Sequence, residues 1–298
     1  MPDRPLAALL AEAEARLASR GVEGGRLDAE VLLARALGED RGRLLLRIAS
    51  GDRGGVPQGA AAAFEDMIAR RERREPVAYI LGRREFWSLD LEVGPGVLIP
   101  RPETEVAVQA ALEMLPGSGP AVALDVGTGS GAIALALASE RPELLVVAAD
   151  LSPLALRTAR RNAARLGLSG RVATARMDLT AGILPAARRA GRLDLIVSNP
   201  PYVALSEASS LPPEVAGHEP PEALFGGPGG LETTLRLAAG AAEALAPGGG
   251  LVMESDASRA GALVRHLMEE GLWQDVRVKA DLAGLPRVVT ARRAGGGR

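Results

Sequence analysis

Apolar residues in the first quarter of the chain recur at helical spacing. Leu6, Leu9, Leu10, Ala13 and Leu17 fall on one helix face, and Gly21 with Gly24-Gly25 interrupts the pattern. Leu27, Val31, Leu32 and Ala36 resume it, with Asp28 and Glu30 suited to a first turn and Gly38 to a stop. Two further helical pieces follow, over about 42–49 and 57–74. The spacing predicts a small all-helical domain over residues 1–75.

The period changes after Pro76. Leu89, Leu91 and Val93 alternate with polar residues, and Gly94-Pro95-Gly96 leads into Val97-Leu98-Ile99. This predicts a β-hairpin, turning at 94–96, within a linker over 76–105. Residues 106–291 then read as strand, turn, helix, strand. The apolar runs 121–126, 144–149, 172–175, 193–198 and 250–254 suit strands buried on both faces. Residues 273–279 and 287–291 read as a closing antiparallel pair. The fold class expected is α/β: a doubly wound, mostly parallel Rossmann-like sheet with a C-terminal antiparallel strand pair, preceded by the helical domain and hairpin. Such sheets bind ligands at the C-terminal ends of their strands. The Gly/Arg tail, 292–298, is expected to be disordered.

Composition narrows the function. A 47% hydrophobic fraction supports a buried core, but aromatics are only 2%, so a base-stacking surface is not expected. Thirty-five basic and 37 acidic side chains leave −2, whereas proteins that bind mainly by phosphate neutralisation are normally basic. No direct nucleic-acid partner is therefore expected. The chain has no cysteine, which excludes disulfides and thiolate chemistry. His218 and His266 are its two histidines and cannot build a multi-histidine centre, so no metal is expected. The opening Met1-Pro2-Asp3-Arg4 leads into an acid-containing amphipathic stretch unlike a signal peptide, and no run nears the ~18 apolar residues that span a bilayer. A cytoplasmic protein, monomeric and without membrane contact, is expected.

The first chemical signal follows the run 121–126. Asp125-Val126 enters Gly127-Thr128-Gly129-Ser130-Gly131 and then an apolar helix. Glycine permits positive φ and close backbone approach, and N–H groups at a helix start favour an anion. The same residues satisfy the dinucleotide fingerprint, so a nicotinamide cofactor competes at this point. Asp150, ending the next strand, suits the hydroxyls of a ribose, which NAD and S-adenosylmethionine both contain; as a bland alternative, it is a turn aspartate before Ser152-Pro153. Asp178 suits an adenine amine, or is simply a loop acid.

The second signal is Asn199-Pro200-Pro201-Tyr202, after the run 193–198. Asn-Pro pairs are common turn initiators. Here, however, the motif ends a parallel strand, two prolines keep its backbone out of a ladder, and Pro200 holds Asn199 extended. The Asn199 side-chain oxygen and the Pro200 carbonyl are then two acceptors for one planar NH₂ group, with Tyr202 packed alongside. Amide and aryl amine nitrogens are poor nucleophiles because their lone pair is delocalised. Two acceptors orient such a group and stabilise charge developing on nitrogen. A hydride-transfer enzyme has no need of this clamp, which favours S-adenosylmethionine as cofactor.

These residues resemble class I S-adenosylmethionine-dependent methyltransferases acting on a planar nitrogen. Further segments narrow the resemblance: Pro76-Val-Ala-Tyr-Ile-Leu-Gly82, Arg84-Glu-Phe-Trp87, Leu98-Ile-Pro-Arg-Pro-Glu-Thr-Glu105, Glu219-Pro-Pro-Glu-Ala-Leu224, Asp281-Leu-Ala-Gly284 and Arg287-Val-Val289. Over residues 76–289 the chain is similar to the peptide chain release factor glutamine methyltransferases, the HemK/PrmC family. The resemblance implies methyl transfer to the glutamine amide of a release factor's Gly-Gly-Gln loop. It implies that Gly127, Thr128, Gly129, Ser130, Gly131, Asp150, Asp178, Leu179, Thr104 and Asn199 hold the cofactor. Asn199, Pro200, Pro201 and Tyr202 would bind the glutamine, with Asn199 and Pro200 catalytic, and Arg101 and Glu103 would line the same cavity. The alternative for that segment is a helix start, with Pro102 in the first position and Glu103 and Glu105 favoured by the dipole.

Two departures stand out. Leu179 replaces an aromatic frequent in the family, and Ser255, Asp256 and Ala257 follow Glu254 where Ile-Gly and a later Gln are usual. The alternatives are a methyltransferase acting on an exocyclic amine of DNA or ribosomal RNA, and a non-catalytic module that only binds S-adenosylmethionine. The helical domain is expected to recognise the release factor away from its loop.

Overall fold

The computed structural model describes residues 5–51, 55–183 and 193–295. The periodic N-terminal segments fold as α1 (Leu6–Ser19), α2 (Gly25–Leu37), α3 (Arg41–Ala49) and α4 (Gln58–Glu72). Leu6, Leu10, Leu17, Leu32, Leu33, Leu44, Phe64 and Ile68 are buried among them. In α2 the buried face is Ala29, Leu32 and Leu33, while Leu27 is half exposed. Glu30 is buried too, paired with Arg26 and Arg41. A further short helix, α5 (Val77–Leu81), lies in the stretch read from sequence as linker.

The chain divides into two compact units, and the first comprises the residues up to Gly82 together with Pro212–His218. The far segment is held by charge. Arg71 is buried and donates to Asp28 at 2.7 Å and to Glu214 at 2.8 Å; Arg74 donates to the other Glu214 oxygen at 2.8 Å.

The second unit begins with a hairpin, β1 (Arg83–Phe86) and β2 (Leu89–Glu92). Its turn is Trp87-Ser88, not Gly94-Pro95-Gly96, and residues 97–99 form no strand. Both turn residues have positive φ, 53° and 58°, the conformation that matches hairpin twist. Carboxylates substitute for glycine's usual presence: Trp87 N donates to Glu105 and Ser88 N to Glu85.

A 3₁₀ turn (Pro102–Thr104) then leads through α6 (Glu105–Met114), β3 (Ala121–Val126), α7 (Ala132–Glu140), β4 (Leu144–Asp150), α8 (Pro153–Arg165), β5 (Val172–Arg176) and β6 (Leu195–Ser198). After a second 3₁₀ segment (Leu205–Ser210) come α9 (Pro213–His218), α10 (Pro221–Leu224), α11 (Glu232–Ala244), β7 (Gly250–Glu254), α12 (Ala257–Glu269), β8 (Trp273–Ala280) and β9 (Pro286–Arg293). The last strand continues through Arg292 and Arg293, into the stretch read as tail; residues 296–298 lie outside the described residues.

Apart from the β1–β2 hairpin, the described strands form one seven-stranded sheet in the order β5-β4-β3-β6-β7-β9-β8. β3, β4, β5, β6 and β7 are parallel, and β9 runs antiparallel to both β7 and β8. The fold is the expected doubly wound α/β sheet with an antiparallel C-terminal pair. Both faces are covered: residues of α6 and α7 pack on one, residues of α11 and α12 on the other. β3 has β4 on one side and β6 on the other, so the winding reverses there and opens a crevice at the strands' C-terminal ends. Among the described residues, no helix is long and apolar enough to cross a membrane, and no group of metal-ligating side chains occurs.

Candidate active site

Two loops leave that crevice side by side. Val126 of β3 is in register with Ser198 of β6, whose hydroxyl donates to the Val126 carbonyl at 2.7 Å. Gly127–Gly131 therefore starts beside Asn199–Tyr202. A Cβ built on Gly127 would find the Asn199 backbone oxygen as its nearest neighbour, 4.0 Å away, and one on Gly129 would find Val97 at 4.0 Å. Both have positive φ, and no atom lies closer than 4.0 Å to where a Cβ would stand, so the bare backbone there is open to close approach. Gly131 serves another purpose: a Cβ would meet Leu135 at 3.1 Å and Ala159 at 3.2 Å, so its absence lets α7 pack closely.

Asp125 fixes this loop from below. It is fully buried, and its Oδ2 accepts from Thr128 Oγ1 at 2.6 Å and from Ala134 N at 3.1 Å. Burial pushes its pKa up to about 7 against those two bonds, and Oδ1 has no partner among the described residues. Asp150 holds the loop from the next strand, accepting from Gly129 N at 2.9 Å and from Ser152 N at 2.8 Å. Burial raises its pKa as well, opposed by those backbone bonds. Thr128 and Ser130 are buried within the turn.

The Asn-Pro-Pro-Tyr segment is gripped by polar groups from elsewhere. Asn199 Nδ2 donates to Thr104 Oγ1 at 3.0 Å, and the Tyr202 hydroxyl donates to Glu254 Oε1 at 3.2 Å. Burial and the facing Glu254 charge raise the Tyr202 pKa. Pro200 is buried, and Pro201 and Tyr202 are half-buried. Arg101 is ion-paired with the buried Glu219, whose other oxygen accepts from Ile99 N, so two of the distinctive sequence segments meet. Glu103 is exposed beside Pro102, which takes the first position of the 3₁₀ turn.

The remaining two residues sit apart from these contacts. Asp178 is exposed, and its Oδ2 accepts from Arg236 at 2.9 Å. Leu179 has a positive φ of 52° and packs against the α11 side of the core.

Sequence reading missed three contributors. Glu254 ends β7 and is buried behind Tyr202. Gly226 and Gly230 lie against the backbone of Pro201 and Tyr202. The cluster Gly226-Gly227-Pro228-Gly229-Gly230 was visible as a sequence feature. Glu254, by contrast, looks like an ordinary strand end until β6 and β7 are known to be neighbours.

A Gly-rich loop and an Asn-Pro-Pro-Tyr turn at the winding reversal of this sheet define a methyltransferase. Residues 100–211 match the family model of the methyltransferase small domain. Residues 8–82 match that of the PrmC N-terminal domain. The release factor glutamine methyltransferase of Mycolicibacterium smegmatis is 45% identical over 283 residues, covering 94% of this chain and 95% of its own. That of Deinococcus radiodurans is 43% identical over 288 residues, covering 97% and 98%. The chain belongs to the release factor glutamine methyltransferase family. Among solved structures, the hMettl16 catalytic domain shares the fold, with TM-score 0.56 and 17% identity over 78% of this chain and 83% of that one.

Proposed function

We propose that this protein transfers a methyl group from S-adenosylmethionine to the side-chain amide nitrogen of the glutamine in the Gly-Gly-Gln loop of peptide chain release factors. Family membership supports the substrate class. The observation that carries the chemistry is the placement of Asn199 beside Gly127, where adjacent strands end.

The residues present fit the cofactor. Gly127 and Gly129 offer backbone uncovered by side chains, and Asp150 brings a carboxylate to the same loop. Gly127–Gly131 with Asp150 would hold S-adenosylmethionine, Thr104 and Asn199 would flank it, and Asp178 and Leu179 are assigned to its adenine end. When bound, it supplies an electrophilic methyl group on a sulfonium.

The protein's own part is positioning. Asn199 Oδ1 and the Pro200 carbonyl accept the two N–H groups of the glutamine amide, orienting the nitrogen and stabilising the positive charge that develops on it as it takes the methyl group, until one N–H proton is lost to solvent. Pro201 and Tyr202 pack along the side chain. Two consecutive prolines hold the acceptors rigid, so little reorganisation accompanies reaction. Arg101 and Glu103 border the entrance as substrate-facing groups, with Arg101 anchored by Glu219. Residues up to Gly82, with 212–218, form a separate helical unit that is assigned to recognition of the factor's body, since one glutamine offers little surface for specificity.

The test is incubation of the full chain with labelled S-adenosylmethionine and purified release factor, beside a factor whose loop glutamine is replaced by alanine. Label is expected on the first and not the second. Label on both, or on DNA or ribosomal RNA in place of the factor, would overturn the assignment.

A further inference from the structure

The two ends of the Asn199–Tyr202 motif are held in different ways. Its start leaves β6, where Ser198 is fixed to Val126 by strand pairing and by a side-chain bond. Its end has left the sheet: beyond Tyr202 come an isolated bridge from Val203 to Phe225 and then the 3₁₀ segment. Steadying that end falls to side chains.

Arg259 meets the need. It lies in the first turn of α12, and its side chain is only 12% exposed. Its Nε donates to the Gly229 carbonyl at 2.9 Å and its Nη2 to Glu207 Oε2 at 2.8 Å. The same Glu207 oxygen accepts from Ala204 N at 3.0 Å, so one atom joins the guanidinium to the backbone just beyond the motif. Gly230 lies between them. A Cβ built on it would stand 2.5 Å from the Tyr202 oxygen, 2.7 Å from Arg259 Nε and 3.0 Å from Ala204 N. The chain leaving Tyr202, the Gly229-Gly230 turn and the start of α12 therefore converge on one planar cation. Asp256 steadies that cation: its Oδ1 accepts from Ser258 N at 2.9 Å, capping α12, and stands 3.4 Å from Arg259 Nη1. Asp256 is among the residues at which this chain departs from the family's usual pattern after Glu254.

We infer that Arg259 is a positioning residue for methyl transfer, acting through Glu207 and Gly229 on the chain that leaves Tyr202, an inference resting on the amide-methylation reading above. A guanidinium suits the task because its donors diverge in a fixed plane and reach acceptors on separate segments; an ammonium offers its donors from a single atom. Bonds from a charged donor to a carboxylate are also shorter and stronger than neutral ones. Without this brace Pro201 and Tyr202 lose their fixed far end, and small misplacements at a reacting centre are costly in rate. The cofactor loop leaves a different strand and is untouched.

The experiment compares Arg259→Met, Arg259→Lys, Glu207→Leu, Glu207→Gln and the double variant Arg259→Met with Glu207→Leu against the parent, on a release factor with its loop glutamine. Readouts are kcat, KM for the factor, S-adenosylmethionine affinity by calorimetry, and amide hydrogen exchange over residues 203–207. Arg259→Met is expected to lower kcat about 10-fold or more, with KM and cofactor affinity held within about threefold. Exchange at Ala204 and Leu205 should quicken in the same variant. Arg259→Lys, which keeps the charge and loses the fork, should stay within about threefold of Arg259→Met. Glu207→Leu should slow the enzyme to a similar degree. Glu207→Gln keeps an oxygen that accepts from both Ala204 and Arg259, and should return kcat to within about threefold of the parent. The double variant should fall no more than about threefold below the slower single one, because both changes break one connection.

Parental kcat in Arg259→Met, parental kcat in Arg259→Lys, unchanged exchange at Ala204, or a double variant whose loss is the product of the single losses would each overturn the inference. Should Arg259→Met fail to fold, Glu207 decides: Glu207→Leu at the parental rate, or Glu207→Gln as slow as Glu207→Leu, overturns it. A parent that does not methylate the glutamine overturns the function itself, while the exchange measurement still decides whether Arg259 braces the chain beyond Tyr202.

Discussion

Gly226 lies directly against Pro201: a Cβ built on it would stand 2.3 Å from the Pro201 carbonyl oxygen and 2.6 Å from that of Gly230. Gly226 N also donates to the Val203 carbonyl at 3.0 Å, closing a short pairing behind the motif. Gly230 repeats the arrangement, its added Cβ falling 2.5 Å from the Tyr202 oxygen. No backbone oxygen yields at such distances without moving. Gly226→Ala is therefore expected to displace Pro201 and Tyr202 and lower kcat about 10- to 100-fold, because small misplacements at a reacting centre are costly. Cofactor affinity, set by the neighbouring loop, should hold within about threefold. Steady-state kinetics with calorimetry reads both, and parental kcat would remove the backing role.

Asp125 gives a pH signature in stability. Its folded pKa of about 7 lies above the ordinary 3.8, so the folded state binds more protons across that interval. Its stabilising contribution is complete below about pH 4 and lost as pH rises through about 7. Asp125→Asn keeps the shape and the acceptor for Thr128 and Ala134 but cannot ionise. Relative to the parent, the variant should gain stability on going from pH 4 to 7.5, read as a shift in urea midpoint. Parallel curves for the two proteins would contradict the burial argument.

Glu214 should matter to the helical unit although it lies far along the chain. Glu214→Ala leaves buried Arg71 with Asp28 as its carboxylate partner and removes the bond to Arg74. Losing one of its two carboxylates leaves the buried Arg71 less fully compensated, with an expected cost of about 1–3 kcal/mol. A urea titration followed by circular dichroism tests this. The Glu214 pKa is lowered, burial being outweighed by Arg74 and Arg71, so its contribution is present above the ordinary glutamate range and lost on acidification. The difference between variant and parent should therefore shrink at low pH. An undiminished difference would locate the effect elsewhere.

Much of the sheet was legible because parallel strands covered on both faces must be apolar throughout. Ala121–Val126, Leu144–Asp150, Val172–Arg176 and Gly250–Glu254 fall where the runs placed them. The hairpin turn was misplaced because Gly94-Pro95-Gly96 is the stronger local signal. Trp87 and Ser88 adopt left-handed φ only with help from Glu105 and Glu85, and Glu105 is distant in sequence. Helix α5 is too short for periodicity to register. The Gly loop and the Asn-Pro-Pro-Tyr turn announce themselves because each needs unusual residues at fixed spacing. Their supports do not: Glu254, Gly226 and Gly230 acquire meaning only from how distant segments pack, which no local pattern encodes. Asp178, read beside the cofactor, is exposed and paired with Arg236, a partner that sequence spacing could not supply.

The central claim is that Asn199 presents a fixed acceptor to a carboxamide nitrogen. Single-turnover methylation of a release factor by Asn199→Ala, with S-adenosylmethionine binding measured on the same preparation, tests it most directly. A loss of about 100-fold or more in the methyl-transfer rate is expected while the cofactor still binds. Transfer at the parental rate by that variant would contradict it.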